Sequence, residues 1–95
     1  MSNKQEEIFN HIQSAIREVL NNDSLDVKPE SRLIQDLGLE SIDFLDVSCE
    51  LENYLGREVD FKEVGSYVAK LKNSPQAAKE LSVQNVIDYL AGQTA

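Results

Sequence analysis

The sequence predicts an all-α fold, a small antiparallel bundle of three main helices with one or two short helices added before the last. Three segments carry apolar residues at helical spacing: about Asn3 to Leu20, Ser41 to Leu55, and Val83 to Ala91. Each is followed by helix-breaking residues, namely Asn21-Asn22-Asp23, Gly56 and Gly92. With 95 residues, the chain suits one small domain spanning 1–95 and leaves no room for a second.

In the first helix, Ile8, Phe9, Ile12, Ile16, Val19 and Leu20 form a stripe that must face a core. Ser2 and Gln5 can form a capping box, with Glu6 and Glu7 near the electropositive end. His11 lies beside the stripe, with no second histidine or cysteine cluster to share a metal, and reads as a solvated residue. A long connection from Ser24 to Glu40 follows. Pro29 marks a turn, and Leu25, Val27, Leu33, Ile34 and Leu37 are its expected anchors.

The second helix, Ser41 to Leu55, has two apolar faces. Phe44, Val47, Leu51, Tyr54 and Leu55 form a broad face suited to packing on the first helix. Ile42, Leu45 and Cys49 form a narrow one. Asp43, Asp46, Glu50 and Asn53 make a polar stripe between them, and Ser41, Ser48 and Glu52 fill the other seam. Beyond Gly56, Asp60 can cap a helix from Phe61 to Lys72 with Phe61, Val64, Val68 and Leu71 on one face. Ser74-Pro75 reads as the start of a further short helix to about Leu81. The last helix, capped by Ser82, presents Val83, Val86, Ile87 and Leu90 to the core.

Composition narrows the function. Seventeen acidic against nine basic residues give a net charge of −8, which disfavours nucleic acid and anionic membranes and favours partners with basic surfaces. No apolar run is long enough for a transmembrane segment or signal peptide. The single Cys49 cannot form an internal disulfide, and the chain reads as a cytoplasmic monomer. No metal-ligand spacing, phosphate-cradling glycine loop or nucleophile elbow occurs, so neither a metal site nor catalysis is expected.

One place stands apart. Gly38 ends the long loop, and Ser41 follows at the start of the second helix, where unpaired N–H groups and the helix dipole favour a phosphate-bearing group. An exposed hydroxyl there suits covalent attachment. The plainer reading is an N-cap, for which serine is a preferred residue.

Asp36-Leu37-Gly38 followed after two residues by Ser41-Ile42 resembles the acyl carrier protein family, whose motif reads Asp-Leu-Gly-x-Asp-Ser-Leu. Glu40 and Ile42 replace the usual aspartate and leucine, keeping the chemical type. The loop Val27–Gly38 and the run Ser82–Leu90 are similar to the family as well. The resemblance implies that Ser41 carries 4′-phosphopantetheine, taken from coenzyme A by a phosphopantetheinyl transferase with magnesium and joined as a phosphodiester. Acyl groups then ride on its thiol as thioesters. It implies a carrier rather than an enzyme, serving acyl-loading, chain-extending or acyltransferase enzymes of fatty-acid, lipid or related synthesis that have basic docking surfaces.

On that reading, Glu40, Ile42, Asp43, Leu45, Asp46, Cys49 and Glu52 are the candidate partner-recognition surface, an apolar centre with a charged rim. The same charges also suit a merely solvated face. Phe44, Val47, Leu51 and Leu55 are candidate walls of an acyl cavity, and equally ordinary core. The interval 57–81 is longer than in ordinary members and reads as an insert, either covering extra core or providing a widened cavity or a private partner surface. The alternatives are an unmodified acidic helical adaptor and a carrier of aminoacyl or peptidyl groups.

Overall fold

The computed structural model describes residues 3–56, 58–71, 73 and 80–94. These residues form four α-helices: α1 (Asn3–Val19), α2 (Ser41–Leu55), α3 (Phe61–Leu71) and α4 (Val83–Thr94). The fold is the expected all-α one, with α1 packed on α2 and α4, and α3 packed on α4. The expected cap at Ser2 and the short helix from Ser74 lie outside the described residues.

Periodicity and burial agree closely in α1 and α4. Ile8, Ile12, Ala15 and Ile16 are buried in α1, facing Val83, Val86, Ile87 and Leu90 of α4 and Val47 and Leu51 of α2 in one apolar cluster. The polar side of α1 holds the long loop against it. Gln13 Nε2 donates to the Val27 carbonyl at 3.2 Å, and Arg17 Nε to the Leu25 carbonyl at 2.9 Å.

The loop Ser24–Glu40 is fixed along its length. Val27, Leu33, Leu37 and Leu39 are buried, whereas Ile34 is not (44 % exposed). An isolated antiparallel bridge joins Arg32 to Ser82. Across it the Leu33 N–H donates to the Leu81 carbonyl and the Val83 N–H to the Ser31 carbonyl, both at 2.9 Å. These bonds satisfy backbone groups that burial would otherwise strand.

Besides Ile34, four sequence expectations need revision. His11 is half-buried and stacks on Tyr54, with centroids 3.3 Å apart and planes 20° apart, because the C-terminal half of α2 lies against α1. Burial and a hydrogen bond with Glu7 push the Tyr54 hydroxyl's pKa up. Ser48 is buried rather than in an open polar seam, its hydroxyl satisfied by donating to the Phe44 carbonyl at 2.8 Å. Leu71 is exposed (67 %) at the end of α3, beyond the reach of the core. Gly92 does not stop α4, which runs on to Thr94, since an exposed glycine weakens a helix near its end without breaking it.

Gly56 does end α2. It adopts φ 70°, ψ 22°, and its N–H donates to the Glu52 carbonyl at 2.8 Å. A β-carbon in this left-handed conformation costs about 1 kcal/mol or more. Gly56→Ala should therefore lower stability in urea denaturation by about 1 kcal/mol. Gly92→Ala, in ordinary helical backbone with open space around it, should not lower it at all. Equal losses for the two variants would contradict the assignment.

Candidate functional site

The residues around Ser41 are placed by a tight loop and a helix start. Gly38 takes φ 73°, and its N–H donates to the Ile34 carbonyl at 3.1 Å, turning the chain toward α2. The turn is fastened by Asp36, which accepts Arg32 Nε at 3.1 Å, Arg32 Nη2 at 3.2 Å and the Arg32 backbone N–H at 2.8 Å. Buried Leu37 and Leu39 flank the glycine, and the Leu39 N–H donates to the Leu33 carbonyl at 3.0 Å.

The Arg32 hydrogen bonds hold the Asp36 carboxyl below its usual pKa. A lowered folded-state pKa contributes stability above the unfolded value, about 3.9, that is lost as pH falls through the folded one. The Asp36 carboxyl should therefore titrate with a midpoint below about 3.9 in carbon-detected NMR. The stability advantage of the wild type over Asp36→Asn should shrink as pH is lowered through that range. A midpoint at or above the ordinary value would refute the pairing in solution.

The α2 N-cap is Glu40, in extended conformation (φ −104°, ψ 172°). Its N–H donates to Asp43 Oδ2 at 2.9 Å, and its carbonyl accepts the Phe44 N–H at 3.1 Å. Ser41 is thus the first helical residue, and the cap role lies one residue earlier with Glu40 and Asp43. The Ser41 side chain is exposed. With its hydroxyl free of the cap and next to the positive end of the α2 dipole, it is suited to a phosphoester.

Ser41 borders a cleft of about 860 Å3 between α2 and α3. On the α2 side the cleft is lined by Phe44, Leu45, Ser48, Cys49 and Glu52. On the α3 side, Phe61, Gly65 and Ala69 recur at i, i+4 and i+8 and so share one face. Phe44 meets Phe61 across it, with centroids 5.3 Å apart and planes 58° apart. Glu52 accepts the Val59 N–H at 3.3 Å, tying the connection after α2 to that helix.

The predicted residues fall into separate places. Ile42 and Leu45 are 65 % and 68 % exposed, and Glu40, Asp46 and Cys49 are exposed beside them. Asp43 and Glu52 are half-buried, each with a backbone hydrogen bond to hold. Of Phe44, Val47, Leu51 and Leu55, Phe44 lines the cleft, while Val47 and Leu51 sit in the core and Leu55 packs at its edge. Sequence reasoning missed Gly65 and Ala69 as cleft residues. The period of α3 could have paired them with Phe61, but nothing in it says which neighbour that face meets.

Among the described residues, no helix is long and apolar enough to cross a membrane. No group of three or more His, Cys, Asp or Glu side chains there is placed to hold a metal ion.

Residues 10–67, which include Ser41 and most of α3, match the family model of the phosphopantetheine attachment site. The chain is 31 % identical over 83 residues to the acyl carrier protein of Helicobacter pylori strain ATCC 700392 / 26695, covering 87 % of this chain and 90 % of that protein. It is 41 % identical over 56 residues to the acyl carrier protein of Thermotoga maritima, covering 59 % and 69 % respectively.

Proposed function

The chain belongs to the acyl carrier protein family, defined by a phosphopantetheine attachment site, and from that premise we propose that Ser41 is the residue that bears the arm. The observation that carries this reading is an exposed serine at the first position of α2, with Glu40 and Asp43 as the cap. It stands at the mouth of an apolar-walled cleft. When attached, the arm supplies a terminal thiol on which acyl groups are carried as thioesters.

The chain's own contribution is positional. Proteins of this family are carriers rather than enzymes, so the bound group must be presented to catalytic partners. A tethered group has a high effective concentration at each docked enzyme. The loop Asp36–Gly38 and the cap fix where the tether starts. The exposed Ile42 and Leu45, with Glu40 and Asp46 exposed beside them, give α2 a dry centre and an acidic rim for basic partner surfaces. These partners are a phosphopantetheinyl transferase and enzymes that load, extend or transfer acyl groups in fatty-acid, lipid or related synthesis. Residues 1–95 act as one carrier domain, in which the enlarged interval 57–81 between α2 and α4 includes α3, one wall of the cleft; its first part, to residue 67, lies within the family match.

Intact mass before and after incubation with coenzyme A, magnesium and a broad-specificity transferase tests the reading. A single pantetheinyl addition is expected. An unchanged mass with several transferases would instead favour an unmodified acidic adaptor.

A further inference from the structure

The charges around Ser41 are mostly of the wrong sign for the phosphodiester it would carry. Glu40, Asp43 and Asp46 lie on the same turns of α2, and the nearby Arg32 is engaged by Asp36. Of the charged residues lining the cleft, among the described residues, Glu52, Glu58 and Asp60 are acidic and Lys62 alone is basic. Lys62 is exposed in the first turn of α3, where its backbone N–H donates to Asp60 Oδ1 at 2.9 Å. Among the described residues its ammonium group takes part in no ion pair.

Resting on Ser41 as the attachment point, we propose that Lys62 is a positioning residue for the phosphodiester, drawing the start of the arm against the α2–α3 cleft instead of leaving it in open solvent. A phosphodiester carries one negative charge at neutral pH. Glu40, Asp43 and Asp46 at the start of α2 repel it, and Lys62, the one basic residue lining the cleft among the described residues, attracts it. The flexible lysine stem lets a compact ammonium meet the phosphate without fixed geometry. The attraction sets direction: the arm leaves Ser41 toward α3, along the face of Phe61, Gly65 and Ala69.

Cys49 supplies a built-in reporter. It is exposed, lines the same cleft, and lies about 12 Å along the α2 axis from Ser41. Mild oxidation of the modified protein with diamide joins the arm's thiol to the Cys49 thiol. Each thiol gives up one hydrogen to the diamide, which is reduced, and the intramolecular disulfide is read as a loss of two hydrogens in the intact mass. Cys49→Ser is the control.

The wild type should form this disulfide about threefold faster than Lys62→Gln, the magnitude of one solvent-exposed ion pair. Lys62→Arg should keep the wild-type rate, and the difference should vanish at about 1 M salt, where screening reaches about 3 Å. Equal rates for wild type and Lys62→Gln, or no disulfide in either, would overturn the inference while leaving Ser41 modified. Failure of the transferase to add the arm appears earlier, as an unchanged mass, and would overturn the attachment reading and this inference together.

Discussion

Ser41→Ala is expected to keep its fold and to gain no mass from any phosphopantetheinyl transferase with coenzyme A. The Ser41 oxygen is the atom that must bond to phosphorus, and alanine has none to offer. The neighbouring hydroxyl of Ser48 cannot substitute, since it is buried and donates to the Phe44 carbonyl. The fold should be indifferent to the change. Ser41 is exposed at the first helical position, and the cap bond runs between the Glu40 N–H and Asp43. Alanine is well tolerated there, so stability should move by no more than about 0.5 kcal/mol. A serine acting as the cap would instead lose about 1 kcal/mol on this substitution. The experiment thus separates the two readings of the residue on independent axes, mass and melting. A modified variant would remove Ser41 as the attachment point, and a destabilised but otherwise normal one would return it to a capping role.

The second large effect is expected from Leu33→Ala. Leu33 is 1 % exposed, although it lies in a loop. Its N–H bonds to Leu81 and its carbonyl to Leu39, so the side chain sits where the loop, the start of α4 and the motif turn are joined. Removing a buried leucine side chain costs about 2–5 kcal/mol, through lost burial and the cavity left behind. For a domain of this size that corresponds to a fall of roughly 10–25 °C in the midpoint of thermal unfolding. Leu45→Ala, at a residue 68 % exposed, should change stability by no more than about 0.5 kcal/mol. Similar melting points for the two variants would mean that the loop is not part of the cooperative unit. Because Leu33 supports the turn that presents Ser41, the same variant should also be a poorer transferase substrate near its melting temperature than well below it.

Much of this arrangement was legible in the sequence because local rules govern it. The spacing of Ile8, Ile12 and Ile16, and of Val83, Val86, Ile87 and Leu90, reports burial directly, since a helix repeats every 3.6 residues. The bounds of α2 follow from the glycine after it and the loop before it. Ile42 and Leu45 were recognisable as outlying apolar residues because they fall off the broad face of the α2 wheel. Less legible were groups whose fate depends on a second element. His11 looked solvated until Tyr54 was brought against it. Ser48 read as part of a polar seam and Leu71 as part of a core-facing stripe, but packing buries the first and leaves the second exposed.

By itself, the sequence determined which segments coil, which of their faces are apolar, the acidity of the surface, and the motif that brings a serine to the head of the second helix. These are consequences of covalent spacing and side-chain chemistry, which need no partner to be expressed. Only the tertiary structure decided that Glu40 and Asp43 close the helix and leave Ser41 exposed. It also opened the cleft, by setting Phe61, Gly65 and Ala69 opposite Phe44 and Leu45, with Lys62 in its lining. Such juxtapositions join residues distant in the chain, and their geometry is set by how helices pack, which no single segment encodes.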